Sequence, residues 1–526
     1  MADVKLVNCT IEGRPVTVPD GTSILEAAKT AGVLIPHYCY HPGLPVAGVC
    51  RMCLVEVEKF PKLAPACATT VGEGQVVHVH SAKAQEARKG VLEFLLINHP
   101  LDCPICDQAG ECELQDYTFA EGRADSRYRE PKRFNPVEDF GGDVLYVQNR
   151  CILCTRCVRF MSDVAQDPVL NVSERGDRAF IGKAEGHDLT NPWAGNVIDL
   201  CPVGALLSKD FLNRARAWEL DRAPTVCTGC SQGCNAVAET RDNVAVRLKP
   251  RPNEAVNHYY MCEVGRLSYR DFNRRDRVEQ PLVRVGASLQ ITDWEDAIAA
   301  AARTLQGSRV VVLASPNLSN EALFLLERVI TTVGGQGAFR VERGEAFPLP
   351  GVPDLALREE RAANATGARA LGFVEVASAA AALRDGDVLL VAGDALTEHD
   401  ADALARASAV VALGTVLPAA LAAKAAVVLP ITNTLEEEGT FTNLRGRVQR
   451  FLQAKTAPGI ARPSWYVLAD LFAAIGGDAR FFLPQEVFAA LAATHAPFAG
   501  LDYEGLGLRG LPVLQEPATP ASGVTA

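Results

Sequence analysis

Apolar residues enter this chain in short runs broken by turn residues. VKLVNCTIEG followed by RPVTVP reads as a hairpin, and DGTSILEAAKTAG as a capped helix, with Thr22 or Ser23 at its start and Gly32 at its end. GVLEFLLINHP reads as an apolar helix ending near His99. Much farther on, VVVLAS, DVLLVAG and AVVLP are brief apolar runs flanked by Gly and Pro and alternating with Ala-rich helical stretches. That is the pattern of parallel strands in an α/β domain. The longest apolar stretch, Ala409 to Pro430, is interrupted by Gly414, Pro418 and Lys424. A membrane span needs about 20 mostly apolar residues without such breaks. Two short buried strands with a small-residue helix between them are expected there instead, so any membrane association must come through partners.

Composition narrows the class without naming a function. With 526 residues the chain exceeds what one core supports, and two to four domains are expected. Hydrophobic residues at 48% and charged residues at 22% describe a soluble globular protein. A net charge of −11 argues against a nucleic-acid face and against acidic partners. The N-terminal MADVKLVNCTIEGRPV has no apolar core flanked by positive charge, so no secretory signal is read and a cytoplasmic-type compartment is expected. Disulfides are disfavoured there, which leaves catalysis or metal binding to account for dense cysteines.

All 16 cysteines lie between Cys9 and Cys262, and they sort into four sets. Cys39, Cys50, Cys53 and Cys67 are spaced C-x10-C-x2-C-x13-C in a loop rich in Gly and Pro. Such a loop frees backbone N–H groups for cluster sulfurs. With the hairpin and helix before it, this set suggests a β-grasp two-iron ferredoxin domain. His99, Cys103, Cys106 and Cys112 follow as H-x3-C-x2-C-x5-C. Three cysteines and a histidine also describe a structural zinc site, and a lone His after an apolar helix is more often structural, so both readings stand here. Cys151, Cys154 and Cys157, with Cys201 before Pro202, show the four-iron signature of three close cysteines and a distant C-P. Cys227, Cys230, Cys234 and Cys262 fit either a cluster or zinc. Fifteen cysteines and His99 thus make four complete sets of four, leaving Cys9 as ordinary core on a strand.

The loop of the first set, NHPLDCPICDQAGECELQD, RCILCTRCVRF with LCPVGAL, and VCTGCSQGCN together resemble the large, G-type iron–sulfur subunit of bacterial respiratory complex I, NADH:quinone oxidoreductase. The likeness is strong over residues 1 to about 270. It implies one 2Fe-2S cluster on the first set, three 4Fe-4S clusters on the others, and His99 as the singular histidine ligand. It also implies an electron order, from the Cys39 set to the Cys151 set to the His99 set, with the Cys227 set off the path. The implied partners are a flavin/NADH-binding subunit and quinone-proximal iron–sulfur subunits, with the chain peripheral on the cytoplasmic side of the inner (plasma) membrane.

Downstream, PLVRVGASLQITDWEDAIAAAA and VVLPITNTLEEEGTFTNLRGRVQR resemble pieces of a molybdopterin oxidoreductase domain. No cysteine follows Cys262 and the domain looks short, so a reduced scaffold without molybdopterin is expected. No G-x-G-x-x-G or G-x-x-x-x-G-K-[ST] stands at a strand-to-helix junction, which places NADH and FMN on another chain. Ser208, His258 and His399 are lone polar residues, and no catalytic pair stands out.

The expected fold class is an α+β and α/β multidomain chain. Its parts are a β-grasp domain over 1–80, a His/Cys four-iron domain over 81–120, a four-iron ferredoxin-like domain over 121–218 and a fourth-cluster domain over 219–275. A molybdopterin-oxidoreductase-like domain over 276–512 and a disordered tail over 513–526 complete it. The competing functions are the electron-transfer subunit of an NAD-linked hydrogenase or formate dehydrogenase, and a structural zinc protein.

Overall fold

The computed structural model describes residues 5–307, 309–396, 400–478 and 480–513. Residues 514–526 of the expected tail and His399 lie outside them. The chain divides into one unit of Met1–Leu220 with Leu349–Pro353 and another of Asp221–Pro348 with Asp354–Ala526.

In the first unit, β1 (Leu6–Ile11) and β2 (Arg14–Pro19) form the expected hairpin, in register from Leu6 opposite Pro19 to Ile11 opposite Arg14. Glu12 and Gly13 make its two-residue turn at φ of 48° and 73°, the positive pair whose twist suits a tight hairpin. Val7, Cys9, Ile11, Val16 and Val18 alternate inward, which makes Cys9 core. Helix α1 (Ile24–Thr30) starts at Ser23, whose Oγ accepts the Glu26 N–H at 3.2 Å, and Gly32 follows its end at φ 68°. Of the two candidate starts, Ser23 is the cap. Ser23→Ala should therefore lower stability by about 1 kcal/mol, read as a shift of the urea midpoint; an unmoved midpoint would show the cap to be dispensable. With β3 (Leu54–Val57), β4 (Ala64–Pro65) and β5 (Gln75–His78) the sheet runs β2-β1-β5-β3-β4, with β1 and β5 parallel. This is the β-grasp arrangement, and the long loop from α1 to β3 carries three cysteines.

Helix α2 (Ala82–Leu96) is capped by Ser81 and clasped to α3 (Glu113–Glu121) by Arg88, fully buried, whose Nε donates to Glu121 at 3.0 Å. Then come β6 (Val137–Gly141), β7 (Val144–Val147), the single turn α4 (Arg156–Arg159), β8 (Leu170–Ser173), β9 (Phe180–Lys183), α5 (Asn196–Leu200) and β10 (Leu206–Ser208). Strands β10, β7 and β6 make an antiparallel sheet. α4 widens into a π turn over Phe160–Val164, a distortion often found at functional sites.

The second unit opens with the antiparallel meander β11 (Asp221–Val226), β12 (Asn235–Arg241) and β13 (Val244–Pro250), followed by α6 (Glu263–Leu267). Next come β14 (Leu282–Val285), β15 (Ser288–Ile291), α7 (Trp294–Leu305), β16 (Val310–Ala314), α8 (Asn320–Val333) and β17 (Gln336–Phe339). Past a two-residue ladder of β18 (Phe347–Pro348) and β19 (Ala356–Leu357) lie β20 (Val374–Glu375), β21 (Val388–Ala392), β22 (Ala409–Gly414) and β23 (Ala425–Pro430). The main sheet orders them β15-β14-β23-β22-β21-β16-β17-β20, parallel from β23 to β20. β16 and β21 are buried at every position, which is why their sequences are unbroken apolar runs rather than alternating ones. Residues 409–430 are strand, helix Ala419–Lys424 and strand, as their interrupted pattern predicts. Among the described residues no helix is long and apolar enough to cross a membrane.

Candidate metal centres

Cys39, Cys50 and Cys53 of the first set lie on the α1–β3 loop, and Cys67 follows β4. The Cys39 N–H donates to Cys50 Sγ at 3.4 Å, and the thiols of Cys39 and Cys50, Cys39 and Cys67, and Cys53 and Cys67 are hydrogen-bonded to one another. Arg51, between Cys50 and Cys53 in sequence, has φ 60°, a left-handed residue that lets the loop curl around the thiols. Hydrogen bonds from Cys50 and Cys67 pull the Cys39 thiol far down, while donating to Cys39 pushes Cys50 and Cys67 up.

His99 stands beyond the end of α2, whose last carbonyls are held by Lys132: Nζ donates to Leu96 O at 2.7 Å and to Ile97 O at 3.0 Å. Arg150 donates to Asp102 Oδ2 through Nε and Nη2, at 3.0 and 2.9 Å. Burial first, then the charges of Lys132 and Arg150, lowers the His99 pKa to about 4. The imidazole is therefore neutral, the form that binds metal, and its Nδ1 is buried without a partner. Cys103 opens a 3-10 turn, Cys106 ends it, and Cys112 is the N-cap of α3. Burial raises Cys106 and pushes Cys112 up to about 11. A Cβ at Gly204 would lie 2.2 Å from Cys106 Sγ, so the backbone cradles that sulfur where only glycine fits.

Cys151, Cys154, Cys157 and Cys201 lie within electrostatic reach of one another. Leu153 and Thr155 have φ of 53° and 60°, turning successive amides inward, and the Leu153 N–H donates to Cys151 Sγ at 3.4 Å. The N–H groups of Val203, Ala205 and Leu206 point at Cys201, and the Tyr146 hydroxyl at Cys151. Burial pushes Cys151 up to about 11 and Cys154 to about 12.

In the second unit, Cys227, Cys230 and Cys234 occupy the β11–β12 turn and Cys262 caps α6; these four also face one another. N–H groups of Gly229 and Gly265 donate to Cys227 and Cys262 at 3.4 Å each, and a Cβ at Gly265 would lie 2.9 Å from Cys227 Sγ. Burial raises Cys227 and pushes Cys262 up to about 12.

The donor sets fit iron–sulfur clusters on three counts. No two of the sixteen cysteines form a disulfide. Their sulfurs accept backbone N–H bonds, the means by which proteins stabilise and tune clusters. Burial also makes most of these thiols reluctant acids, so that a cationic core is what would draw out their protons. Among the described residues, no three His, Cys, Asp or Glu side chains close on a single point as one bound ion requires.

Two of the lone polar residues have partners: Ser208 Oγ donates to Asp143, and His258 Nε2 meets Asp354 Oδ1 at 2.9 Å. Spacing alone missed several residues around the sets. Tyr38, fully buried, lies within electrostatic reach of both Cys50 and Cys112. Cys112 in turn lies within reach of Cys201. Arg156 and Arg159 stand inside the motif RCVRF, where cysteine spacing gives them no distinction.

Comparison with known proteins adds family to geometry. Residues 4–82 match the 2Fe-2S iron-sulfur cluster binding domain, 88–127 the NADH-ubiquinone oxidoreductase-G iron-sulfur binding region, and 141–207 the ferredoxin-like domain of NADH-quinone oxidoreductase subunit 3. Residues 220–274 match the molybdopterin oxidoreductase Fe4S4 domain and 359–474 molybdopterin oxidoreductase. Over 332 residues the chain is 39% identical to the G-type subunit of the NADH-quinone oxidoreductase of Rickettsia bellii, covering 62% of this chain and 49% of the relative. Over 337 residues it is 41% identical to the mitochondrial NADH-ubiquinone oxidoreductase 78 kDa subunit of Candida albicans, covering 63% and 47%. The chain spans about half the length of the curated relatives it matches. A crystal structure of an NAD+-reducing [NiFe]-hydrogenase in the H2-reduced state aligns with a TM-score of 0.37 and 29% identity over 40% of this chain and 90% of that one, too partial a likeness to bear on the fold. The chain therefore carries 2Fe-2S and 4Fe-4S binding domains followed by a molybdopterin oxidoreductase fold.

Proposed function

We propose that this chain, homologous over its iron–sulfur half to the G-type subunit of NADH-quinone oxidoreductase, is the electron-relay subunit of such an enzyme. Three of its four ligand sets belong to one structural unit and share neighbours, which is the observation that carries the reading. Cys39, Cys50, Cys53 and Cys67 would hold a 2Fe-2S cluster. His99 with Cys103, Cys106 and Cys112, Cys151 with Cys154, Cys157 and Cys201, and Cys227 with Cys230, Cys234 and Cys262 would each hold a 4Fe-4S cluster. When bound, these groups supply one-electron redox chemistry. The chain's own work is to ligate, to exclude water and to donate N–H groups to sulfur. The proposed electron order follows the ligand sets, entering at Cys39, passing to Cys151 and leaving from His99, with the Cys227 set structural.

The partners proposed are a flavin/NADH-binding subunit on the entry side and quinone-proximal iron–sulfur subunits on the exit side. The chain would be peripheral, on the cytoplasmic side of the membrane. Its molybdopterin-like domain is proposed to be a scaffold without molybdopterin, and NAD and FMN to bind elsewhere.

Iron, acid-labile sulfide, zinc and molybdenum measured per chain on anaerobically purified protein test this reading. About 14 irons, brown colour and no molybdenum are expected. Stoichiometric zinc would end the electron-transfer role of the set that holds it, and one molybdenum per chain would favour a formate dehydrogenase relative. His99→Cys should keep its cluster and lower that cluster's midpoint potential, because a thiolate adds negative charge where the imidazole was neutral. An unchanged redox titration would contradict His99 as a ligand.

A further inference from the structure

We propose that Arg156 and Arg159, at the two ends of the single turn α4, are positioning residues that lock three ligand sets at fixed separations and thereby set the rate of electron passage among them. The proposal rests on the iron–sulfur reading above.

Arg156 lies between two cysteines of its own set and is 4% exposed. Its Nη2 donates to Tyr40 O at 2.8 Å, one residue after Cys39. Its Nη1 donates to Leu200 O at 3.3 Å, one residue before Cys201. Both nitrogens also reach the Glu113 carboxylate, at 3.2 and 3.4 Å, one residue after Cys112. Thus one guanidinium holds the chain beside a ligand of each of three sets. Arg159 goes closer still. Its Nη2 donates to the carbonyls of Cys39 and Cys154 themselves, at 2.5 and 3.2 Å, and its Nη1 to Pro45 O at 2.5 Å.

The chemistry requires arginine. A planar fork with donors in fixed directions can satisfy several acceptors and fix their geometry, whereas a lysine is a rotatable point charge. The Arg159 bridge also makes a continuous path of covalent and hydrogen bonds from Cys39 Sγ to Cys154 Sγ. With clusters bound, one electron leaving the Cys39 set would arrive at the Cys154 set, so that one oxidation would be balanced by one reduction. Two positive charges beside these sets, Arg156 buried and Arg159 half-buried, also favour their reduced, more negative states.

The test uses the full-length chain purified anaerobically, with Arg159→Met, Arg159→Lys and Arg156→Met. Iron content, midpoint potentials, the magnetic interaction between the paramagnetic signals of the Cys39 and Cys154 sets, and the rate of electron passage between them are read. Arg159→Met should keep its iron, weaken that interaction, lower both potentials and slow passage. Arg159→Lys should restore the potentials but not the interaction. Joint loss of iron from both sets in both Met variants would mark residues needed to fold the domain and would overturn the proposal. Loss confined to the Cys154 set would mark a local folding residue and overturn the proposal. So would Arg159→Met with full iron and unchanged interaction and rate. Absence of iron from the unmodified chain would instead fail the underlying iron–sulfur reading.

Discussion

Gly204→Ala should empty the His99 set, removing about 4 irons per chain while the other sets stay filled. The added methyl would sit 2.2 Å from Cys106 Sγ and 3.1 Å from Gln108 Cβ, well inside van der Waals contact. Gly204 is not at positive φ, so the effect is one of space and not of backbone strain. Cys106 is the element that must yield, because the methyl is fixed to backbone. A ligand sulfur displaced by an ångström no longer meets an inorganic core whose bond lengths are set by its own chemistry. Overpacking of this kind adds about 1–3 kcal/mol of destabilisation. Gly90→Ala is the matched control: Gly90 lies within α2 with nothing within 4 Å of an added Cβ, so iron should be unchanged and stability equal or slightly higher. Iron and sulfide analysis with the spectrum of the His99 set decides it. Full occupancy in Gly204→Ala would mean that Cys106 is not a ligand.

Glu437→Gln should make the second unit more stable above neutral pH by about 3 kcal/mol and flatten its pH dependence. Glu437 is buried; its Oε2 accepts from Thr432 Oγ1 and the Ser464 N–H, at 2.7 Å each, and Ser464 Oγ lies 3.0 Å from Oε1. Burial raises its pKa to about 7, despite these donors, and the nearby charge of Glu321, itself raised to about 7 by burial, adds to it. A carboxyl raised above its unfolded value binds its proton more tightly when folded. Its contribution to stability is therefore full below the ordinary value near 4.5 and is lost as pH rises through about 7. Glutamine keeps the neutral state at every pH, its amide donating to Ser464 Oγ and its carbonyl accepting the other two bonds. The slope should shrink without vanishing, because Glu321, also raised to about 7 by burial, still titrates. Calorimetric unfolding at pH 6 and 8.5 reads the effect, and a variant with the wild-type pH slope would refute it.

Much of the fold was legible from local pattern. The β1–β2 hairpin, the capped α1 and the strand–helix–strand over 409–430 follow from periodicity, caps and breakers acting over a few residues. The proposed ligand sets were legible for the same reason, since loops such as CILCTRC bring donors together within their own length. Around those sets the sequence was silent. Arg156 was visible as a letter in RCVRF, but nothing in its neighbourhood indicates that the Tyr40 carbonyl, 116 residues earlier, accepts its N–H hydrogen bond. Glu321 and Glu437 look like ordinary helix and loop acids until the fold buries them together.

The sequence by itself determined the candidate metal ligands and the hairpin, capped helix and strand–helix–strand named above, because spacing and period are properties of neighbouring residues. Tertiary structure alone decided that Gly204 must lack a side chain, that two arginines join residues beside cysteines of three sets, and that two carboxyls are buried. Those facts depend on which distant segments meet and how much water they exclude, and chain order does not encode either locally.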